Sequence, residues 1–504
     1  MSTALFSVYD KTGLLEFAGR LHSAGWELLA SGGTARALAD AGLPVQTVET
    51  VTGEPEMLEG RVKTLHPAIH AGLLARDTDE DRAALAARGW LPIDLIAVNL
   101  YPFEEFIARP NVDMDTAIEN IDIGGVALLR AAAKNHARVT VLCDPADYER
   151  ALHPSDTAAF RLRMAHKAFA RTAAYDAAIE SYFALQSSEP APLRLTYYTV
   201  SQLRYGENPH QDAVFYSPEL DGSPLGGELL QGKPISYNNM LDLDAAWRAV
   251  ASFAEPAVVV VKHNSPCGIA SMPSVAKALA LAVECDPISA FGSVIACNRE
   301  VEAAFVDQLG DLFVECIVAP GFASEARAQL AARKNLRLLQ MAATSLVEKY
   351  ELRSIVGGLL RQDVDVGDPP DAPDWQVVSA REPTPAELSA LQFAWRACQF
   401  VKSNAITLAQ SEGEGCFTVG IGGGQPNRVD CVQIAGERAG EQARGAVLAS
   451  DAFFPFPDGV TNAAELGITA VVQPGGSIRD EAIIAAADAA GLAMVFTGVR
   501  HFRH

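Results

Sequence analysis

Ala257-Val-Val-Val-Val-Lys262-His263-Asn264-Ser265-Pro266-Cys267-Gly268 is an apolar run that stops abruptly at a lysine, a histidine and a turn. A run of valines with no polar alternation predicts a strand buried on both faces of a parallel sheet. Ligands of open α/β sheets sit in the crevice beyond the carboxyl ends of the strands, so Lys262 and His263 are expected at the mouth of a cleft. The imidazole can take or give a proton near neutral pH, and the ammonium can neutralise developing negative charge. An arbitrary Lys-His pair would more often be a strand-ending lysine beside a satisfied core histidine; the strand-end position favours chemistry.

A chain of 504 residues exceeds what one hydrophobic core usually supports. Two stretches rich in proline with small and acidic residues, Gln186–Pro192 and Asp363–Asp374, cannot continue a helix or a central strand and read as linkers. They divide the chain into blocks at residues 1–192, 193–368 and 369–504. The first block alternates strand-like runs (Leu5–Val8, Glu27–Ala30, Leu95–Val98, Val139–Leu142) with helical segments such as Gly13–Ala24 and Val126–Asn135. That alternation predicts right-handed βαβ units and a parallel sheet covered by helices. The second block continues in the same style, with strands predicted at 257–261, 293–297 and 316–319; the third at Phe417–Ile421, Ala470–Gln473 and Ala493–Phe496. Lys402-Ser-Asn404 faintly echoes Lys262-His-Asn264, a hint of duplication that a tripeptide cannot carry against chance.

Net charge of −22 makes the surface acidic, which disfavours nucleic acid and anionic membranes as partners. An anionic ligand must then be held by local basic groups and backbone N–H. The eight cysteines show no C-x-x-C and no metal-ligand spacing, and read as reduced thiols. The N-terminus reaches charge too early for a signal peptide, and no run approaches a membrane span. A cytoplasmic setting is expected.

Ser31-Gly32-Gly33-Thr34 follows a predicted strand and opens a helix, so its hydroxyls, its accessible backbone and the helix dipole suit a single phosphate; a plain N-cap is the alternative. It lacks the spacing of a dinucleotide fingerprint or an ATP P-loop. Further polar clusters fall at predicted loops: Ser7 with Asp10-Lys11, Arg61-Val62-Lys63-Thr64-Leu-His66, Asn99-Leu-Tyr101-Pro102, and Asp122-Ile123-Gly-Gly125 leading to Lys134. Each alone reads as a solvated surface; together they offer a carboxylate, a phenol and lysines suited to proton transfer without a cofactor. Leu203–His210 joins Arg204 and Tyr205 in one loop, an anion clamp beside a stacking ring. Gly420–Arg428 and Gln473–Ile478 are glycine-rich strand exits that either admit a flat ligand or serve tight turns. A zinc nucleobase deaminase requires H-x-E and P-C-x-x-C, and Pro266-Cys267 has neither partner.

Read in order, S-x-x-D-K-T-G, S-G-G-T, G-R-V-K-T-L-H-P, N-L-Y-P-F, D-I-G-G, L-R-Y-G-x-N-P-H-Q, V-K-H-x-x-P-C-G, D-P-I-S-A-F-G, F-V-K-S-N-A-I, S-D-A-F-F-P-F and Q-P-G-G-S-I-R-D span essentially the whole chain. This set resembles the bifunctional purine biosynthesis family that joins phosphoribosylaminoimidazolecarboxamide (AICAR) formyltransferase to IMP cyclohydrolase. The resemblance implies a methylglyoxal-synthase-like parallel-sheet domain for IMP cyclohydrolase at 1–192. It implies a formyltransferase of two cytidine-deaminase-like α/β subdomains, without zinc, at 193–368 and 369–504.

Carried over by motif, Tyr9, Asp10, Lys11, Ser31, Gly32, Gly33, Thr34, Arg61, Val62, Thr64, Val98, Asn99 and Ile123 would contact the cyclohydrolase ligand. Lys134 would transfer the proton, supported by Lys63, Tyr101 and Asp122. AICAR would be held by Arg204, Tyr205, Asn239, Gly292, Glu315, Asn404, Arg428, Phe453 and Arg500, with His263 and Lys262 catalytic. Val429, Asp458, Ser477 and Ile478 would meet 10-formyltetrahydrofolate, a cosubstrate; no tightly bound cofactor is implied. The resemblance also implies a homodimer with composite transferase sites. Tyr9 stands where a small serine is common, Asn427 where serine is usual, and Glu315 where some members carry aspartate. Two rivals stay open at this point: a monofunctional transferase with a nucleotide-binding regulatory block, and a metal-dependent deaminase on the same scaffold.

Overall fold

The computed structural model describes residues 2–55, 57–58, 61–110, 112–187, 192–219, 222–342 and 349–504. The middle of the first expected linker, residues 188–191, lies outside them. The chain divides into two compact units, Met1–Leu195 and Thr196–His504.

In the first unit, β1 (Thr3–Val8), β2 (Glu27–Ala30), β3 (Val45–Thr47), β4 (Leu95–Asn99) and β5 (Thr140–Leu142) form one sheet in the order β3-β2-β1-β4-β5. All neighbours are parallel. The apolar runs read from the sequence are its centre: Leu5, Phe6, Leu29, Ile96 and Val141 are buried in one core. The order reverses between β1 and β4, so the chain leaves these adjacent strands in opposite directions and a crevice opens at their carboxyl ends. The sequence reading did not foresee β3 or the long helix Thr157–Ser187. That helix lays Phe160, Met164, Ala168 and Tyr175 on the core.

The second unit begins with a ribbon of β6 (Tyr198–Gln202) and β7 (Val214–Ser217). Its first half then contributes β8 (Glu228–Gln231), β9 (Ala257–Lys262), β10 (Ser265–Ser271), β11 (Ser293–Cys297), β12 (Val314–Ala319) and β13 (Arg337–Gln340). A second ribbon, β14 (Tyr350–Ile355) and β15 (Gly358–Asp363), precedes β16 (Gln376–Val377), β17 (Ile406–Glu412), β18 (Gly415–Gly422), β19 (Val447–Ser450), β20 (Ala470–Gln473) and β21 (Ala493–Phe496). Strands outside the ribbons form one sheet, ordered β16-β21-β20-β19-β17-β18-β10-β9-β11-β12-β13-β8.

The valine run is a central strand buried on both faces, as its composition predicts. Val258 and Val260 enter the core beneath helices such as Val275–Cys285, while Ala257, Val259 and Val261 enter the core beneath Tyr237–Ala251 and Pro385–Cys398. The parallel sheet expected around it is corrected, because β9 is antiparallel to both β10 and β11. The chain reverses through His263–Asn264 alone, and a parallel connection needs a dozen or more residues. Among the described strands of this sheet, parallel pairing joins β11-β12-β13 and β19-β20-β21.

The strand order also shows a duplication. Read outward from the central β10–β18 pair, each half gives an antiparallel hairpin partner, an antiparallel step, two parallel steps and an antiparallel edge strand. The tripeptide echo is not part of it. Lys262 ends β9, whereas Lys402 precedes β17, its topological counterpart. The expected boundary at 368/369 falls in the connection between the halves, which share a single sheet.

Candidate active sites

The crevice of the first unit gathers most of the expected ligands. The Asn99 amide, at the end of β4, bridges to the chain after β1: its Oδ1 accepts the N–H groups of Tyr9 and Asp10 at 2.6 and 2.9 Å, and its Nδ2 donates to Asp10 O at 2.8 Å. Thr34 Oγ1 accepts Val8 N–H at 3.0 Å, and Ser7 and Ser31 hydroxyls lie 2.9 Å apart. Ser31 makes no side-chain cap to its helix, Gly32–Asp40. Lys63 reaches over Gly32 so closely that a Cβ there would sit 2.7 Å from Nζ, and it is 3.7 Å from Glu49. Thr64 Oγ1 stands equally close to Gly124. Tyr9 and Tyr101 rings meet at 5.2 Å, so the departure at position 9 adds an aromatic wall. Asp122 Oδ1 accepts Gly125 N–H at 2.7 Å, and Asp122 N–H donates to Tyr175 at 2.8 Å. Burial raises the Asp122 carboxyl above its ordinary value, against the pull of the Gly125 and Tyr101 N–H groups. Arg61 is exposed and paired with Glu119. A cavity of about 460 Å³ opens beside Asp122 and Ile123, lined also by His70 and Arg130.

Lys134 is not brought to this cluster within the chain. It is the last residue of the helix Gly124–Lys134, and an α-helix rises 1.5 Å per residue, so about 15 Å separates it from Gly124. The following Asn135 holds Leu73 O and Ala75 O, and Thr140 N–H donates to Asp94 O just before β4. Those contacts belong to the amino edge of the sheet. The family resemblance joins Lys134 to Asp122, and within one chain the helix sets the two at opposite ends.

In the second unit, the carboxyl ends of β9, β18, β19, β20 and β21 and the amino ends of β11, β12 and β17 share one sheet edge. Every transferase candidate on a strand end lies there. Lys262 Nζ donates to Phe291 O at 2.5 Å and stands 3.8 Å from a Cβ built on Gly292. Phe291 and Phe313 rings meet at 5.3 Å beside it. Glu315 is paired with Arg337, and Asn239 is a buried residue on the first turn of Tyr237–Ala251. The Arg204 guanidinium lies over the Tyr205 ring at 5.4 Å, and their loop is tied to that helix by Asn238 Nδ2 donating to Glu207 O at 3.3 Å.

The other group surrounds Arg428, which is buried. Its guanidinium donates to Asn404 Oδ1 at 2.9 Å, to Ser450 Oγ at 2.8 Å and to the fully buried Asp451. Arg428 therefore orients Asn404 from below. Asn427 accepts Asp430 N–H at 3.0 Å as an N-cap, which asparagine performs as well as serine. Val429 follows on that helix, Asp458 opens the helix Asp458–Glu465, and Phe453, Ser477 and Ile478 sit on strand exits. Arg500 lies over Phe502 at 4.6 Å. Gly420 and Gly422 serve packing: a Cβ there would lie 2.1 Å from Ala435 O or Cys431 O of the covering helix.

Three residues escaped the sequence reading. Asp451 is the carboxylate beneath Arg428. His501 is clamped between Asp365 and Asp368, within the expected second linker. Asp242 accepts Asn264 N–H at 2.6 Å; its spacing of one turn after Asn239 was the available signal. All eight cysteines are free, and burial pushes Cys267, Cys285, Cys297 and Cys316 up to about 12, which suppresses thiolate chemistry. Among the described residues no group of three or more His, Cys, Asp or Glu could hold a metal ion, and no helix is long and apolar enough to cross a membrane.

Comparison with known proteins gives two family matches: an MGS-like domain over residues 13–127 and the AICARFT/IMPCHase bienzyme over residues 132–438. The bifunctional purine biosynthesis protein PurH of Sorangium cellulosum is 50% identical over 525 aligned residues, covering 99% of both chains. Those of Shouchella clausii and Listeria innocua are 50% and 48% identical at 99% and 100% coverage of both chains. A solved structure described as ForH matches 36% of this chain and 98% of its own at 37% identity, with a TM-score of 0.33.

Proposed function

This chain belongs to the AICARFT/IMPCHase bienzyme family, a bifunctional enzyme of purine biosynthesis with AICAR formyltransferase and IMP cyclohydrolase activities, and from that premise we propose how its residues divide the work. Formyl transfer belongs to the second unit. The 5-amino nitrogen of AICAR attacks the formyl carbon of 10-formyltetrahydrofolate, His263 accepts the proton, and Lys262 stabilises the tetrahedral oxyanion. Collapse breaks the bond to the folate N10, which leaves with a proton as tetrahydrofolate, and the formylated nucleotide (FAICAR) is the product. The observation that carries this reading is the Lys262–His263 turn, set beside Gly292 on the edge where the other candidates gather.

Ring closure belongs to the first unit. The carboxamide nitrogen of FAICAR attacks its own formyl carbon, and loss of water gives IMP. The step is intramolecular, so holding the ligand accounts for much of the rate. Lys63, Tyr101 and Asp122 are the groups we assign to charge and proton movement there. The raised Asp122 carboxyl supports this, since a carboxyl drawn toward neutrality can both give and take a proton. Lys134 is given no part in one chain's site.

A homodimer completes the transferase site in this reading. Strands are about 4.8 Å apart, so the edge from β12 to β21 runs roughly 38 Å and the step from β9 to β17 about 14 Å. Asn404 and Arg428 thus flank strands three and two positions from that of His263, a spread that favours division of the site between two chains. A two-fold interface would bring one chain's Lys262 and His263 to the other's Asn404 and Arg428. The exposed Ile355, Val356, Leu359 and Leu360 of the second ribbon supply apolar surface for a partner. The acidic charge and absence of any spanning helix among the described residues support a cytoplasmic setting. The direct test mixes the protein with AICAR and 10-formyltetrahydrofolate and follows IMP and tetrahydrofolate. Equal amounts of both are expected; tetrahydrofolate without IMP would leave a monofunctional transferase.

A further inference from the structure

We propose that Asp242 is a positioning residue of formyl transfer: its carboxylate holds the His263–Asn264 turn in the shape that sets His263 and Lys262 on the sheet edge. The proposal rests on the assignment of His263 and Lys262 to that reaction. His263 and Asn264 both have positive φ, 55° and 59°, between strands that pair Lys262 with Ser265. This is the two-residue hairpin that needs two consecutive left-handed residues, for which Asn-Gly is the favoured pair and any side chain beyond Cβ carries a steric cost that glycine avoids. Asparagine often supports this conformation through its own side chain. Here Asn264 Oδ1 is buried with no hydrogen-bond partner among the described residues, so the support comes from elsewhere.

It comes from the helix Tyr237–Ala251. Asp242 Oδ1 accepts Asn264 N–H at 2.6 Å. Successive N–H groups of a tight turn converge on an anion, and the carboxylate fills that role. Burial pushes the Asp242 carboxyl up, opposed by the Asn264 and His263 N–H groups and by the charges of His263 and Lys262. One turn earlier on the same helix is Asn239, whose N–H donates to Ser236 Oγ at 3.2 Å and whose Oδ1 accepts that hydroxyl at 2.8 Å. A single helical turn thus bears both a residue assigned to the nucleotide and the anchor of the reacting turn. Displacement of a reacting group by about 1 Å can cost about 10²-fold in rate, which sets the size of the expected effect.

The test uses the full-length protein. Asp242→Ala should lower kcat of formyl transfer roughly 10- to 100-fold while KM for AICAR stays within about threefold and ring closure of supplied FAICAR is unchanged. Asp242→Asn keeps an acceptor oxygen and should recover most of the rate. Adding Asn264→Gly to Asp242→Ala should restore at least several-fold, because glycine takes positive φ without steric cost. A residue that merely stabilised the fold would lower the melting temperature without selective rescue by a turn glycine. In the His263→Ala background the loss from Asp242→Ala should shrink, since its route through the base is gone. Near-normal kcat in Asp242→Ala, or a defect that neither Asn at 242 nor Gly at 264 relieves, overturns the proposal. Normal transfer by His263→Ala alone would instead overturn the assignment of the base on which it rests.

Discussion

Replacing His501 by glutamine should abolish an alkaline loss of stability in the larger unit. The His501 side chain is 2% exposed, with Nδ1 2.7 Å from Asp365 and Nε2 2.9 Å from Asp368. Burial alone would lower its pKa, but the hydrogen bonds and charges of the two carboxylates raise it to about 9. A cationic group raised in the folded state contributes stability that is fully present below its unfolded value of 6.5 and is lost as pH rises through about 9. At 1.36 kcal/mol per pH unit the contribution is about 3 kcal/mol. For a unit of this size that is roughly 5 °C of melting temperature. The clamp also fixes the tail bearing Arg500: His501 N–H donates to Asp451 O at 3.0 Å, and Asp451 carries Arg428. Calorimetry of wild-type and His501→Gln protein from pH 6 to 10 should show wild type the more stable by several degrees at pH 6, with the gap closing above about pH 9. Curves that stay parallel throughout would refute the charged-clamp reasoning.

Further outcomes follow from the two sites. Lys63→Ala should reduce ring closure of FAICAR by at least about 10²-fold and spare formyl transfer, whereas Lys134→Ala should reduce it far less; equal losses in direct assay would return Lys134 to the site, through a neighbouring chain. A fragment of residues 1–192, which holds a complete sheet and core, should cyclise FAICAR but not make it, and a folded fragment without that activity would show that the site is not self-contained. His263→Ala and Arg428→Ala chains refolded together should regain roughly a quarter of wild-type transfer, because half the dimers are mixed and each mixed dimer has one intact site; verified mixed dimers that stay inactive would locate each site within one chain. Exhaustive chelation should change neither rate, and a large loss would point to a metal.

The buried strands were readable because both of their faces are apolar: Leu5, Phe6, Val259, Val260 and Val471 announce themselves without any partner in view. Pairing direction was not readable, since an unbroken apolar run says that both faces are covered and nothing about neighbours. The two-residue turn at His263–Asn264, recognisable in retrospect, makes β9 antiparallel to β10. β3 is short, and Val45-Gln-Thr47 carries a single aliphatic residue. The duplication left no mark because it resides in strand order, while the Lys-x-Asn echo joins non-equivalent positions. Asn99 and Ser31 were legible because each stands at the carboxyl end of a buried strand, and the structure sets both at the first crevice. Lys134 is the opposite case: a helix carries it about 15 Å from Gly124 over one motif length, a displacement that the motif does not record. Asp242, Asp451 and the Asp365–His501–Asp368 clamp are contacts across 20 to over 100 positions, which no local pattern records.

The most direct measurement compares His263→Ala protein on two substrates under one set of conditions, with product separated by chromatography. Supplied with AICAR and 10-formyltetrahydrofolate, it should form FAICAR and IMP at a rate lower by about 10² to 10⁴. Supplied with FAICAR, it should form IMP at the wild-type rate. Loss of both reactions, or of neither, would contradict two separate sites with His263 in the first step alone.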